Sequence, residues 1–329
     1  MKVVIIGAGP AGLAAADHLQ QQGHQVVVFE KGPIAAAIAH YPPYMTYFST
    51  APLLEIGGMP LTIPGDKPTR REYLYYLTRF VQDRHIDVRT YHLVSSIKGQ
   101  KGCFTVCGET ASGEEFSETA ERLVVASGAS GEPRRLEVPG ENLPKVRYRY
   151  TEPHPYVGQK VLVVGGRNSA VESALELWRH GAQVTLSYRR DSFPDSVKYW
   201  LKPDIENRIQ AGEIQAYMPS RVISIEPRSV HLSCNGKEIM LPNDFVLALT
   251  GYQPDVAFLQ SMGLEVDPVS QRPSINPQTY ESNVPGIFIA GVIQAGNISS
   301  EIFIENSRHH GLVIAQALAA ETRSASLAP

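Results

Sequence analysis

Apolar positions near the start of the chain follow the order strand, helix, strand. Residues 3–6 are an uninterrupted apolar run, which predicts a buried strand. Residues 10–22 carry apolar side chains at helical spacing, and Gly23 is placed to end that helix. Residues 26–29 form a second apolar run. This order predicts a βαβ unit and therefore a parallel sheet.

The same order recurs about half a chain later. Residues 161–164 predict a strand, a helix runs on towards Gly181, and residues 184–188 predict a second strand. Alternating stretches with turn residues follow each repeat, at 92–126 and at about 221–249, and predict antiparallel meanders. The pattern predicts an α/β protein with two Rossmann-like three-layer domains, each carrying a β meander.

Other segments depart from this repeat. Residues 33–68 are rich in Pro, Gly, Tyr and Thr and show little periodicity. A loop of that length in a compact domain is usually functional, so we predict that it forms a wall over a ligand. Residues 69–84 return to helical spacing, 286–292 predict one more buried strand, and about 300–320 predict a last helix.

The composition narrows the classes of partner. The chain has 329 residues, 43% hydrophobic and 19% charged, as in a globular protein long enough for two domains. Its net charge of −3 offers no broad basic face to nucleic acid. Its apolar runs are too short for a membrane span or a signal-peptide core. Three cysteines in this length favour a reducing compartment, so we expect a cytoplasmic protein.

The first repeat carries the sequence GAGPAG at residues 7–12, between strand and helix. In this context the three glycines predict a dinucleotide-binding loop, with a pyrophosphate at the helix N-terminus. Glu30 ends the next strand and can accept both hydroxyls of an adenosine ribose, whereas it repels a 2′-phosphate. The site is thus predicted to bind FAD or NAD; the alternative is a plain glycine turn with a solvated glutamate. The candidate residues are Gly7, Ala8, Gly9, Pro10, Ala11, Gly12, Glu30 and Lys31.

The second repeat carries GGRNSA at residues 165–170, with Arg167 where the central glycine is expected. Arginine cannot adopt glycine-only backbone angles without strain, but its guanidinium can bind phosphate oxygens directly. Arg189 and Arg190 follow the next strand, where the first repeat has Glu30, and arginines there suit a 2′-phosphate. The alternative is a solvated surface pair. The candidate residues are Gly165, Gly166, Arg167, Asn168, Ser169, Ala170, Arg189 and Arg190.

Opposite ribose chemistry at the two loops predicts two different nucleotides, FAD in the first and NADPH in the second. A flavin accepts hydride from NADPH and passes electrons on to an acceptor. The sequence therefore predicts an NADPH-dependent flavoprotein oxidoreductase.

Several stretches resemble known two-dinucleotide-binding flavoproteins of the low-molecular-weight thioredoxin reductase type. VVASGAS (124–130) is similar to their chain crossing near the flavin, and GIFIAGV (286–292) to their last FAD strand. The resemblance implies an FAD domain split into 1–127 and 250–329, an NADPH domain at 128–249, and a homo-oligomer, either a dimer or a tetramer. It also implies flavin contacts from Val94, Gly128, Gly291, Val292 and Ile302.

A narrower resemblance is to the bacillithiol disulfide reductase family. It is carried by YPPYMTYFST (41–50), residues 154–177, LTGYQPDVAFL (249–259) and the stretch 287–311. The resemblance implies reduction of the disulfide of a low-molecular-weight thiol with NADPH, and the family carries a basic residue at the position of Arg167 and valine at that of Val292.

The chain departs from both patterns in its sulfur chemistry. No Cys-x-x-Cys precedes the second glycine loop, which excludes thioredoxin reduction through a dithiol. The narrower family commonly has cysteine at the position of Ala11, and alanine cannot form a mixed disulfide. Cys103 and Cys107 are four residues apart on a predicted strand, about 13 Å, too far for a disulfide. They and Cys234 are interpreted as structural.

Some other polar residues have two interpretations. Thr46, Ser49 and Thr50 either line the flavin ring or belong to ordinary turns. His309 and His310 in the last helix either supply a proton or, as we favour, are a helix-surface pair. His154 is interpreted as a turn residue. The His, Cys and acidic residues show no metal-ligand spacing, so no metal site is predicted.

The electron acceptor stays open at this stage. Besides a small-molecule disulfide, it can be an electron-carrier protein, as in ferredoxin or flavodoxin NADP reductases, which share the layout and need no cysteine. A flavin monooxygenase is less favoured because its F-x-G-x-x-x-H-x-x-x-W/Y stretch is missing. A non-enzymatic flavin-binding redox sensor is the alternative from another class.

Overall fold

The computed structural model describes residues 1–128, 132–298 and 301–326. The chain forms two compact units, one of Met1–Glu132 with Gln253–Pro329 and the other of Pro133–Tyr252. The second unit is therefore inserted in the first. The strands are β1 (Lys2–Ile6), β2 (Gln25–Glu30), β3 (Asp87–Thr90), β4 (His92–Gln100), β5 (Cys103–Thr110), β6 (Glu115–Ala120), β7 (Arg122–Val125), β8 (Glu132–Pro133), β9 (Val146–Arg147), β10 (Lys160–Val164), β11 (Gln183–Ser187), β12 (Gln215–Tyr217), β13 (Ser220–Ile225), β14 (Ser229–Cys234), β15 (Lys237–Pro242), β16 (Phe245–Ala248), β17 (Tyr252–Gln253) and β18 (Ile287–Ile289).

Two short 3-10 turns lie at His154–Tyr156 and Val292–Ala295. The α-helices of the described residues are α1 (Pro10–Gln21), α2 (Ala36–Ala39), α3 (Ala51–Leu54), α4 (Arg70–Asp83), α5 (Asn168–Arg179), α6 (Lys202–Gln210), α7 (Val256–Ser261), α8 (Ile304–Ser307) and α9 (His310–Ser326).

The first unit is built on a parallel five-stranded sheet of order β18-β7-β1-β2-β3. Val3 and Ile5 of β1 pack into the cluster that holds α1, α4 and α9, whereas Val4 and Ile6 pack against the meander β4-β5-β6. Because successive side chains of a strand point to opposite faces, a continuous apolar run covers both.

The second unit repeats this plan. Its parallel sheet has the order β12-β11-β10-β16-β9, and its meander is β13-β14-β15. Val161 and Val163 of β10 pack on α5, and Leu162 and Val164 pack in the cluster of the meander side. The predicted α/β class with two Rossmann-like three-layer domains is confirmed.

The meanders end earlier than the sequence predicts. Residues 122–125 and 245–248, which we expected inside the meanders, are β7 and β16 of the two parallel sheets. Leu123, Val124 and Val125 are all fully buried, because a helical layer and a meander cover the two faces of β7. The three consecutive apolar residues, in contrast to the alternation before them, are the sequence signal of that burial.

The last helix also differs from its prediction. It is divided into α8 and α9, with Arg308 and His309 between them. At Gly311 a Cβ would lie 2.5 Å from the Cα of Ala15, so α9 packs directly on α1. Within the predicted loop 33–68, the short helices α2 and α3 form, and α6 was not predicted at all.

Candidate dinucleotide-binding sites

The first glycine loop joins β1 to α1, and its three glycines differ in why a glycine stands at each position. Gly7 has φ +109°, and a Cβ there would lie 2.4 Å from the carbonyl oxygen of Ala126. A Cβ on Gly12 would lie 2.0 Å from the carbonyl oxygen of Gly7. Gly9 has an ordinary φ of −77°, and a Cβ there would meet nothing within 4 Å. Gly7 and Gly12 thus serve the fold, whereas Gly9 leaves open space in front of the loop.

The start of α1 presents donors to that space. Pro10 occupies the first turn, no side chain caps the helix, and no acidic residue lies in its first turn. The N–H of Leu13 is the first to donate into the helix, to the carbonyl of Gly9. An uncapped N-terminus with its dipole favours a bound anion such as a pyrophosphate.

Glu30 lies at the end of β2, beside the loop, and is buried. Its Oε2 accepts from the N–H of Ala8 at 2.9 Å, and its Oε1 accepts from the N–H of Gly32 at 3.0 Å. Each carboxylate oxygen has a second lone pair, so both can still accept a ribose hydroxyl. The two main-chain donors fix the orientation of the carboxylate before any ligand binds.

Lys31, the residue after Glu30, lines an open cleft of about 410 Å³. Tyr91 and Leu93 line the same cleft. Val94, which follows on β4, buries its side chain in the core.

Four predicted flavin residues of the first unit meet at one place. A Cβ on Gly291 would lie 2.9 Å from the Cβ of Ala11, and one on Gly128 would lie 3.9 Å from Cγ1 of Val292. Gly291 and Gly128 both have positive φ, +86° and +75°, which favours glycine. Ile302 is half-buried and precedes α8.

The polar residues of the long loop are placed individually. Ser49 is buried and donates to Oε1 of Glu305. Thr46 is exposed and bridges to Thr69, and Thr50 is exposed at the start of α3. Glu305, a partner for Ser49 from 256 residues away, carried no signal in the sequence.

The prediction of a surface histidine pair was wrong for His310. Its side chain is only 6% exposed and its ring packs against that of Tyr280, with the ring centroids 4.6 Å apart and the planes tilted by 38°, whereas His309 is exposed. Its Nδ1 accepts from the N–H of Gly291 at 3.1 Å, which places the proton of the neutral ring on Nε2. Burial, and then the neighbouring His309, lower the pKa of His310 to about 4. It is therefore neutral at neutral pH.

The second glycine loop keeps the backbone of the first. Gly165 has φ +145°, and a Cβ there would lie 2.5 Å from the carbonyl oxygen of Leu249. Arg167 precedes α5 as Gly9 precedes α1, with φ −105° and ψ −177°. That is ordinary extended backbone, so the strain expected for arginine is absent. Gly166 is a glycine for another reason, because a Cβ there would lie 2.5 Å from the ring of Tyr188.

Asn168 ties the start of α5 to a distant segment. Its Nδ2 donates to the carbonyl of Ser196 at 3.1 Å, and its Oδ1 accepts from the N–H of Lys198 at 2.8 Å. Tyr199 and Trp200 follow, with their rings in edge contact at 4.8 Å, and Tyr199 is 82% exposed. Ser169 is exposed and Ala170 is buried against Gly165.

Arginines gather at the carboxyl edge of the second sheet. Arg189 and Arg190 are exposed and follow β11, which ends at Ser187, one residue earlier than predicted. Arg134 was not predicted. It is half-buried, and burial followed by the charges of Arg167 and Arg189 lowers its pKa.

The remaining candidates lie on meander strands and in a turn. Cys103 and Cys107 lie on the predicted strand, β5, and Cys234 ends β14; all three are free thiols. His154 lies in a 3-10 turn, as predicted.

Within residues 1–128, 132–298 and 301–326, no group of three His, Cys, Asp or Glu side chains could hold a metal ion. In the same ranges no helix has both the length and the apolar character of a membrane span.

Comparison with known proteins places the chain. Residues 4–291 match the family model described as pyridine nucleotide-disulphide oxidoreductase. The chain is 42% identical over 320 residues to the bacilliredoxin reductase of Bacillus subtilis, covering 97% of each chain. It is 29% identical over 298 residues to a ferredoxin–NADP reductase of Ignicoccus hospitalis, covering 88% of this chain and 89% of the other.

Solved structures agree. The bacillithiol disulfide reductase of Bacillus cereus superposes with a TM-score of 0.95 at 40% identity, covering 98% of this chain and all of the other, 100%. The thioredoxin reductase of T. acidophilum superposes with a TM-score of 0.74 at 20% identity, covering 97% and 98% of the chains, which shows a shared fold. The chain belongs to the pyridine nucleotide-disulphide oxidoreductase family of enzymes and, within it, to the group of the bacillithiol disulfide (bacilliredoxin) reductases.

Proposed function

We propose that the chain is an NADPH-dependent FAD oxidoreductase that reduces the disulfide of a low-molecular-weight thiol of the bacillithiol type. One observation carries the assignment of the two nucleotides. The strand that follows the first glycine loop ends in the buried carboxylate of Glu30, and the strand that follows the second ends before Arg189 and Arg190. A carboxylate accepts ribose hydroxyls and repels a 2′-phosphate, whereas guanidinium groups bind it.

The residues of the first unit fit FAD. The open space in front of Gly9 and the uncapped start of α1 suit the pyrophosphate, and Glu30 is oriented for the adenosine ribose. Ala11 and Gly291 form a close-packed, apolar floor beside them. When bound, FAD accepts hydride from NADPH and passes two electrons to the acceptor.

The overall reaction is NADPH + H⁺ + RSSR → NADP⁺ + 2 RSH, in which the S–S bond breaks and both sulfurs leave as thiols. Residue 11 has no sulfur, so it forms no mixed disulfide with the substrate. The three cysteines lie on meander strands. The electrons therefore reach the disulfide without a protein thiol at residue 11.

A second acceptor is an electron-carrier protein. The alanine at position 11 and the similarity to a ferredoxin–NADP reductase favour it. The Bacillus subtilis relative is a bacilliredoxin reductase, which adds a bacilliredoxin, a protein acceptor, to this class. We also propose a homo-oligomer and a cytoplasmic location; sedimentation of the holoprotein tests the first, and fractionation of cells the second.

The deciding experiment is anaerobic. The holoprotein is mixed with NADPH or with NADH while the flavin absorbance is followed, and bacillithiol disulfide is then added. We expect fast bleaching by NADPH, slow bleaching by NADH, and reoxidation by the disulfide. If the flavin is bleached by NADPH but reoxidised only by a bacilliredoxin or a ferredoxin, the acceptor is a protein and not the small disulfide. A flavin that neither nucleotide bleaches refutes the oxidoreductase.

A further inference from the structure

Arg134 is held beside the second glycine loop by its main chain. Its N–H donates to the carbonyl of Gly251 at 3.0 Å, and the hydroxyl of Thr250 donates to its carbonyl at 2.6 Å. Residues 250 and 251 follow Leu249, whose carbonyl oxygen lies 2.5 Å from the Cβ position of Gly165. The segment that carries Arg134 therefore abuts the segment packed on the first glycine of the loop.

The side chain of Arg134 belongs to a cluster of like charges. Burial and the guanidinium groups of Arg167 and Arg189 lower its pKa, so both lie within electrostatic reach of it. Three arginines at one sheet edge repel one another, and a polyanion bound among them removes the repulsion. Arg134 is half-buried, where such charges are screened less than at the surface.

The strand order assigns the phosphate. In the sheet β12-β11-β10-β16-β9, Arg189 follows β11, whereas Leu249 follows β16 on the opposite side of β10. The ribose of a dinucleotide lies towards the end of β11, and its pyrophosphate lies at the loop after β10. Arg134 is thus on the pyrophosphate side of the loop.

We propose that Arg134 binds the pyrophosphate of NADPH together with Arg167. In the second loop these two arginines bring positive charge to the pyrophosphate. In the first loop Gly9 instead leaves open space for it. This inference rests on the proposed function, since it assumes that NADPH binds the second unit. Arg134 is then a residue for affinity that does not discriminate NADPH from NADH, in contrast to Arg189 and Arg190.

The test measures binding of NADP⁺, NAD⁺ and 2′-AMP to the full-length holoprotein by calorimetry. 2′-AMP carries the 2′-phosphate without a pyrophosphate. Arg134→Ala is expected to weaken NADP⁺ and NAD⁺ by about tenfold each and to leave 2′-AMP unchanged. Arg134→Lys keeps the charge but loses the paired donors, so a smaller loss is expected.

Arg135→Ala is the matched control. Arg135 is the next residue, is exposed, and lies over the ring of Tyr148 at 4.8 Å. Melting curves without nucleotide separate folding from binding, because a loss of stability in Arg134→Ala or Arg135→Ala appears in those curves, whereas a loss of affinity appears only in the calorimetry.

The outcomes separate this inference from the proposed function. If the wild-type protein binds none of the three nucleotides, the NADPH assignment itself fails. If it binds NADP⁺ and Arg134→Ala behaves as Arg135→Ala does, only the inference about Arg134 is refuted. Weakening of 2′-AMP with unchanged NAD⁺ also refutes it, because Arg134 would then bind the 2′-phosphate.

Discussion

Gly9 and Arg167 are equivalent residues with different contributions to a ligand. Both precede a helix in extended backbone, and neither caps it with its side chain. The glycine leaves room for main-chain donors to approach a phosphate, whereas the arginine brings its own charge. The same local geometry thus serves two kinds of anion binding, and a single residue decides which.

The arginines after β11 are expected to set the preference for NADPH. In the double variant Arg189→Ala/Arg190→Ala, loss of charge-assisted bonds to the 2′-phosphate should lower kcat/KM for NADPH about 100-fold. The value for NADH should stay within about twofold, since NADH lacks that phosphate. Anaerobic flavin reduction measures both. An equal fall for the two nucleotides would show that the arginines do not distinguish them.

His310 should make stability depend on pH. Its folded-state pKa, about 4, lies below its ordinary value of 6.5, so protonation favours the unfolded chain. Its stabilisation is complete above pH 6.5 and is lost as the pH falls towards 4. Relative to His310→Asn, the wild type should lose about 3 kcal/mol of unfolding free energy between pH 7.5 and 4. Urea titrations at several pH values measure this; parallel curves for the two proteins contradict it.

At the scale of elements, each glycine loop is a contact between a strand and a helix. Gly12 is required by the closeness of α1 to the main chain of Gly7, and Gly165 by its contact with Leu249. The βαβ pattern predicted these loops, because their spacing is local in sequence. The boundaries of the meanders were less predictable, since β7 and β16 join the parallel sheets through strands distant along the chain.

Two substitutions in the first loop should separate folding from binding. Gly12→Ala places a Cβ 2.0 Å from a carbonyl oxygen and should destabilise the protein. We expect the loss to be about 3 kcal/mol. Gly9→Ala meets nothing within 4 Å. Its apoprotein should stay within about 1 kcal/mol of wild type. The added methyl group in front of the loop should nevertheless weaken FAD about tenfold or more. Denaturant titration of the apoproteins and FAD titration check both; full FAD affinity in Gly9→Ala contradicts the assignment of the open space.

At the scale of the whole molecule, two units of the same plan carry opposite charge at corresponding strand ends. Their parallel sheets have matching strand orders, and the edge strand next to β7 or β16 is β18 in the first sheet and β9 in the second. One therefore arises after the insertion and the other inside it. Under the proposed function, the repeat gives one chain two nucleotide sites with different ribose chemistry, one for each cofactor of the electron transfer.

The two sites should be separable by substitution. Glu30→Ala removes the acceptor for the ribose hydroxyls and also the acceptor for the N–H of Ala8. FAD should therefore bind about 100-fold more weakly. Its affinity for 2′,5′-ADP should not change. The variant Arg189→Ala/Arg190→Ala should show the reverse. Flavin content and calorimetry with 2′,5′-ADP measure the pair; a loss of both ligands in either variant would argue against two independent sites.

The sequence by itself determined the class of fold, the two glycine loops and the contrast between Glu30 and Arg189, because these signals lie within one βαβ unit. Only the tertiary structure decided that His310 is buried against Gly291, that Ser49 bonds Glu305, and that Arg134 joins the arginines. Each of these contacts joins segments far apart along the chain. The packing of helices and loops that are distant along the chain determines these partners, and no local sequence pattern predicts that packing.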